Sequence, residues 1–420
     1  MHRINKIAYS VKAWKAIPEI PKDPIFTFNQ MYAKDTSPNK VNLSIGAYTD
    51  ESGKAWVLPS VKMAVDKIFK NNQFNCSYLP LTGDPEFTEE SVKLAYGYNP
   101  QTQLLVNNIP LSRVARTQTL SGTGGIYIAL TFAQNMFEHY NGTIWVPNAT
   151  WPIHNTMARL MGYNVQHYHY YDIENRKFDF EDYFQSLTKI PEKAFVVFHC
   201  SGHNPTGFDP SIEQWQRIAK LVAERQFLVL MDNAYQGFVS GDIGRDGYPI
   251  KVFAEHGIPM MVVQSFAKNI GLYGQRTGCL SIIMENEELA AKVQAYFGYR
   301  NRNIFSNPPR FGSDIAKIVL KDPEVNSQWH KDIVTMADSI NERRRLFIKE
   351  LEALNCADQW RYLLQQKGMF AFTHLKLPHI RALREKFAVY MTEDGRMSIT
   401  GMNAKNIAYV AKAVAEVTKN

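Results

Sequence analysis

Cysteine is scarce in this chain. The four present, Cys76, Cys200, Cys279 and Cys356, are scattered and form no Cys-x-x-Cys pair. That spacing excludes a disulfide framework and a zinc ribbon, and it fits a reducing compartment. Long apolar runs are missing too: none reaches the ~20 residues of a membrane-spanning helix. The longest, such as 195–198 and 227–231, are strand-sized. Neither sign of charge dominates, since 47 Lys and Arg stand against 40 Asp and Glu, a net +7 on 420 residues. A nucleic-acid surface needs a concentrated basic stripe with interleaved aromatics, and here acids interrupt most basic stretches. The one dense run, Arg343-Arg344-Arg345, falls within a helical period (Ile340, Phe347, Leu351, Leu354), which predicts a solvated face. Neither nucleic acid nor membrane is an expected partner.

What remains is ordinary packed-protein composition, 45% hydrophobic and 21% charged. At ~150 residues per domain the length suggests two or three domains. Continuously apolar runs at 143–146, 195–198, 227–231 and 260–263 read as strands buried on both faces. Helical stripes lie between them: Ile126, Leu130, Ala133 and Phe137, then Trp215, Ile218 and Val222. The alternation predicts an α/β fold with a mostly parallel central sheet. After about residue 330 the pattern changes to a long helix, short strands near 369–372 and 397–399, and a last helix bearing Ile407, Val410, Val414 and Val417. This tail reads as a smaller α+β unit.

Ligands of open α/β sheets sit beyond the carboxyl ends of the strands, so the residues following the apolar runs carry the interest. Ser121-Gly122-Thr123-Gly124-Gly125 opens a helix and could present amide groups to a phosphate; a tight turn is the plain alternative. It is neither a Walker loop nor a well-spaced dinucleotide fingerprint, which disfavours a nicotinamide dehydrogenase. Lys268 follows a buried strand, where desolvation makes a nucleophilic amine; on position alone a lysine snorkelling to the surface is the simpler reading. Asp232 ends another apolar strand and needs a cationic partner, which a protonated ring nitrogen or a structural ion pair would supply. His199 and His203 have metal-like spacing, but Pro205 and the strand-to-loop context speak against a helix there, so no metal is expected.

The order of these segments is similar to that of a known family. Ser265-Phe266-Ala267-Lys268-Asn269 followed by Gly271-Leu272-Tyr273-Gly274-Gln275-Arg276 resembles the cofactor-lysine motif of class I pyridoxal-phosphate-dependent aminotransferases. Segments 41–48, 56–59, 78–80, 118–124, 203–207, 234–238, 306–309 and 368–370 resemble its aspartate aminotransferase branch, in order along almost the whole chain. The resemblance implies the fold-type I architecture and a homodimer with shared active sites. It divides the chain into an N-terminal arm (1–17), a large cofactor-binding domain (58–335) and a small domain in two parts (18–57 and 336–420).

The resemblance also implies roles. Lys268 would bind pyridoxal 5'-phosphate as a Schiff base and then move the proton at the substrate carbon. Asp232 would pair with the ring nitrogen, supported from behind by His154 and His199. Tyr235 and Asn204 would bond the ring oxygen, and Trp151 would stack on the ring. Ser121, Gly122, Thr123, Ser265 and Arg276 would hold the phosphate, with Tyr78 reaching in from the second subunit. Arg396 would grip the substrate α-carboxylate, and Arg302, with Arg300 as its nearest rival, the distal carboxylate across the dimer interface; Gly46 and Phe370 would line the pocket. The implied reaction exchanges the amino group between L-aspartate and 2-oxoglutarate, an aromatic or broad-range substrate set being the alternative. Ala267 and Thr277 depart from the usual pattern. The basic, acid-free first 17 residues faintly resemble an organelle presequence, but the position of Val41 matches cytosolic members, and the cytosol is the expected compartment.

Overall fold

The computed structural model describes residue 19, residues 24–136 and residues 142–419. The expected arm over residues 1–17 and Phe137 of the first helical stripe lie outside the described residues. Seven strands build the central sheet: β1 (Val114–Leu120), β2 (Thr143–Pro147), β3 (Asn164–Tyr168), β4 (Phe195–His199), β5 (Leu228–Asn233), β6 (Met260–Ser265) and β7 (Thr277–Ile283). Their spatial order is β1-β7-β6-β5-β4-β2-β3. Only β7 runs against the others, pairing antiparallel with both β6 and β1. The four apolar runs became β2, β4, β5 and β6. The last three are buried along nearly their whole length, because helices cover both faces of the sheet.

The sequence pattern did not show β1, β3 and β7. In β1 the reason is visible: its polar side chains are buried but paired. Gln118 accepts from the Asp84 amide at 3.1 Å and donates to the Pro309 carbonyl at 2.7 Å, while Thr117 accepts from Asn301 at 2.8 Å. Satisfied polar groups can be buried without an apolar signature. β3 is an edge strand with most of its side chains partly or fully exposed.

Helix α1 (Ser121–Met136) leaves β1 with no intervening loop, its first residue in the left-handed region at φ 58°. Gly125 lets it lie close on the sheet, since a Cβ there would stand 2.6 Å from Val263 Cγ1. Helices α2 (Pro152–Leu160) and α3 (Ile212–Glu224) follow β2 and β4; α3 starts in a capping box formed by Ser211 and Gln214. Helix α4 (Glu287–Ile304) packs on β1. Thr277 is fully buried where Gly312 leaves it space, for a Cβ on Gly312 would fall 2.1 Å from its hydroxyl.

Helix α5 (Pro323–Ala353) has Asp322 as its cap and Pro323 in its first turn. It leads into a smaller α+β body that holds the antiparallel pair β8 (Phe370–Phe372) and β9 (Arg396–Ser398) and the last helix α6 (Ile407–Thr418). One expectation is corrected here. Arg343 and Arg344 are buried, at 2% exposure each, and only Arg345 faces solvent. Arg343 donates to the carbonyls of Thr400 and Thr49 and to Glu51, and Arg344 to the carbonyls of Gly368 and Phe370. Their guanidinium forks bind backbone carbonyls from distant segments of the chain, which a charge count cannot register.

Trp329, buried on α5, donates its indole N–H to the carbonyl of Asn269 at 2.7 Å, the residue after Lys268. Trp329→Phe keeps most of the buried ring but orphans that carbonyl. The expected cost is about 1–3 kcal/mol, read as a lower urea midpoint at unchanged slope.

Candidate active site

A cavity of about 230 Å³ opens at the carboxyl edge of the parallel strands, closed on its far side by the smaller body. Every strand of the sheet but the edge strand β3 delivers a group to it: Ser121 after β1, Trp151 after β2, His199 at the end of β4, Asp232 in β5, Ser265 in β6, and Arg276 immediately before β7. Because β7 runs in the opposite sense, its start lies beside the ends of its neighbours, and Ser265 faces Gly278 in the register.

Asp232 is 8% exposed and sits at the base of the cavity. Its Oδ2 accepts from His154 Nε2 at 3.0 Å. Thr150 Oγ1 lies 2.8 Å from His154 Nδ1 and 2.9 Å from His199 Nε2, and the Asn204 amide lies 3.4 Å from His199 Nδ1. A carboxylate accepts only, so the donor directions of the whole chain follow. His154 donates to Asp232, Thr150 donates to His154, His199 donates to Thr150, and the Asn204 amide donates to His199. Burial pushes the Asp232 carboxyl up, but the His154 bond and the charges around it outweigh this and hold it below its ordinary value. Burial, then His203 and His154, hold His199 well below the usual imidazole range, so its ring is neutral as the chain requires.

Lys268 stands across from Asp232, its Nζ 5.4 Å from the centre of the Tyr235 ring. Burial lowers its amine to about 8; Asp232 opposes the shift, and Arg276 and Arg396 add to it. An amine so placed is a usable base and nucleophile near neutral pH. Tyr235 lies 6% exposed at the cavity wall, its phenol pushed up first by burial and then by Asp232. From the other side comes Arg396, 5% exposed, its guanidinium 4.3 Å from the Phe370 ring centre. It donates to the Ser44 carbonyl at 3.2 Å and approaches Asn204 Oδ1 at 3.5 Å. Gly46 completes this wall, and a Cβ there would come within 2.8 Å of Phe370 Cζ.

The opposite end suits a phosphate. Ser121 and Ser265 hydroxyls are 2.8 Å apart, the amides of Gly122 and Thr123 open α1, and the solvent-exposed Arg276 lines the same cavity. A Cβ on Gly122 would lie 3.5 Å from Ser265 Cβ, inside this cradle. A hydroxyl-and-amide cradle, a buried carboxylate and a buried amine on one cavity form the donor set that pyridoxal phosphate requires, and the residues present fit it.

Two of the expected residues are not brought to this cavity. Tyr78 is 87% exposed, and Arg302 is an exposed residue on α4 that donates to Ser306. Arg300 is half-buried away from the cavity, its Nε without a partner among the described residues. His154 does not line the cavity and reaches it through Asp232. His203 is stacked between Tyr170 and His199, with ring centres 3.8 and 4.1 Å away. The sequence reading missed Thr150, Ser201, Ala234, Ala267 and Tyr273 as site groups. Tyr273 accepts from the Tyr48 amide at 2.9 Å and so holds the strand of chain that carries Gly46. A signal for Thr150 existed in its place four residues before His154, but the link to His199 crosses strands.

The family model for aminotransferase class I and II matches residues 38–414. The chain is 38% identical to the cytoplasmic aspartate aminotransferase of Schizosaccharomyces pombe, over 94% of this chain and 96% of that one. It is 36% identical to the mitochondrial aspartate aminotransferase of Gallus gallus, over 97% of this chain and 94% of that one. The solved structure of the aspartate aminotransferase from Saccharomyces cerevisiae cytoplasm superposes with a TM-score of 0.91 at 36% identity, covering 96% of this chain and 98% of that one. Full-length similarity of this extent, on a cavity that holds a half-buried lysine, a buried aspartate and a phosphate cradle, places the chain in the class I and II aminotransferase family.

Proposed function

We propose that the protein is an aspartate aminotransferase that uses pyridoxal phosphate to exchange the amino group between L-aspartate and 2-oxoglutarate, giving oxaloacetate and L-glutamate. The observation that carries this reading is the opposition of half-buried Lys268 and buried Asp232 across one cavity, with buried Arg396 on its third side. The cofactor, when bound, supplies an electron sink that stabilises negative charge at the substrate carbon. Asp232 keeps a positive charge at the ring nitrogen by staying ionised, and His154, Thr150 and His199 hold its orientation. Ser121, Gly122, Thr123, Ser265 and Arg276 anchor the phosphate end. Tyr235 and Asn204 would direct an O–H and an N–H to the ring oxygen, and Trp151 would pack on the ring face. Lys268 Nζ takes the proton from the substrate carbon and returns it on the other side of the exchange.

Arg396 recognises the α-carboxylate with two parallel donors, a geometry that lysine lacks. Two of the proposed residues, Tyr78 and Arg302, face outward in a single chain. A homodimer in which each subunit lends them to its neighbour's cavity gives them their use, Tyr78 at the phosphate and Arg302 at the distal carboxylate. With this goes the proposed division into a large domain at 58–335 and a small one at 18–57 and 336–420. Among the described residues no helix is long and apolar enough to cross a membrane. Relatives named for the cytoplasm and for mitochondria match to similar extents, and we propose the cytosol as the compartment.

L-Aspartate alone is expected to change the absorption of the bound cofactor, and 2-oxoglutarate to restore it; a spectrum that responds only to aromatic amino acids would reassign the substrate. Arg302→Asp is expected to lower kcat/KM for L-aspartate by roughly a hundredfold or more, since one partner of a charged pair is lost and a repulsive one is added. Unchanged aspartate turnover would remove Arg302 from the site. Because the neutral amine is the nucleophile, covalent attachment of pyridoxal phosphate to the stripped protein should speed up as pH rises and level off above about 8, where the Lys268 amine has lost its proton. Stopped-flow absorbance against pH measures this.

A further inference from the structure

Beyond β4 the chain folds back through residues 200–209 before α3 begins. This loop brings Ser201 and Asn204 to the active-site cavity, and it touches the smaller body where the Lys367 amide donates to the Gly207 carbonyl at 2.6 Å. Its shape is held from behind. Asp209 Oδ2 accepts the Gly202 amide at 2.8 Å and Oδ1 accepts the His203 amide at 3.0 Å. Both oxygens are used, on the residues immediately before Asn204. Asp209 does not line the active-site cavity. It lines a second one of about 820 Å³ on the other side of the loop, and Ser201 belongs to both.

We propose that Asp209 is a positioning residue of the transamination site: its ionised carboxylate sets the place of Asn204 against Arg396, and protonation from the second cavity releases it. The inference rests on the proposed function, in which Asn204 faces cofactor and substrate. Two converging N–H donors need two acceptor oxygens. An ionised carboxylate offers both, whereas a protonated one turns a hydroxyl toward one of the donors. The groups facing Asp209 make that proton exchange accessible. Burial raises its carboxyl, the two amide bonds lower it, Asp246 raises it and Lys367 lowers it, leaving it at about 6. Cys200 and Tyr170 are neutral neighbours, their thiol and phenol raised by burial first and then in part by Asp209 itself. His203 is held well below its ordinary value, chiefly by burial. Arg245 and Glu213 line the same second cavity. Asp209 therefore carries its proton below about pH 6 and has lost it above.

The test uses the holoenzyme and succinate, a dicarboxylate without an amino group, titrated calorimetrically from about pH 5 to 7.5. Exchange of the Gly202 and His203 amides is followed in parallel by NMR, corrected for intrinsic rates. Wild type is expected to bind succinate roughly tenfold more weakly at the acid end, with at least one of the two amides losing protection through about 6. Asp209→Asn should bind weakly throughout, with at least one of the two amides unprotected and no step near 6. A variant that binds like wild type and keeps the step overturns the proposal. If that variant does not fold, the wild-type amides decide alone, and protection constant across the range overturns it. The amide measurement holds whichever amino acid is the substrate, so a failure here is distinct from a failure of the aspartate assignment.

Discussion

A carboxylate at the end of a strand buried on both faces is the constraint around which the molecule is organised. Asp232 lies in β5, in the middle of the sheet, where an uncompensated charge would cost several kcal/mol. Its compensation comes from three directions. His154 approaches from α2, His199 stands opposite it in the β4–β5 register, and Lys268 follows the neighbouring strand β6. Each of these positions depends on strand order, so the sheet topology and the charge balance of the cavity are one property. The polar chain from Asp232 through Thr150 to Asn204 has a single direction of donation, which fixes the tautomer of the neutral His199 ring.

The cavity is otherwise cationic. Lys268, Arg276 and Arg396 bring three positive groups to it, and only Asp232 answers them among its charged lining residues. Burial and the two arginines work together to loosen the proton on Lys268, while Asp232 holds the shift to a moderate one. Such a field favours dianionic ligands and a lysine that is a base rather than a permanent charge. The smaller body contributes through rigid supports. Arg344 binds the carbonyls on either side of Met369, and the β8–β9 pair sets Phe372 opposite Arg396. Gly46 then allows the Phe370 ring to close against the chain.

The strands with continuous apolar runs were legible because burial on both faces leaves no polar alternation. The groups at their ends drew attention because a polar group at such a place needs a reason, but position alone left a surface lysine, a structural ion pair and a tight turn open, and the motif resemblance decided between the readings. Lys268, Asp232 and the serine-glycine helix start all belonged to this class. By contrast β1 and the Arg343–Arg344 pair were hidden, since their buried polar groups are satisfied by partners far along the chain. The Thr150 link to His199 and the Tyr273 link to Tyr48 were hidden for the same reason, since each hydroxyl meets its partner from a distant segment.

Local chemistry was thus written into the order of residues: which strands are buried, where a helix begins, and which segments carry an amine, a carboxylate or a guanidinium. Those properties depend on periodicity and on neighbours within a few positions. Folding in three dimensions settled which of these groups meet, that Asp209 reaches back to the Gly202 and His203 amides, and that Tyr78 and Arg302 stand apart from the cavity of their own chain. Burial and charge pairing are relations between distant segments, and a pKa near 8 on Lys268 arises from the sum of those relations.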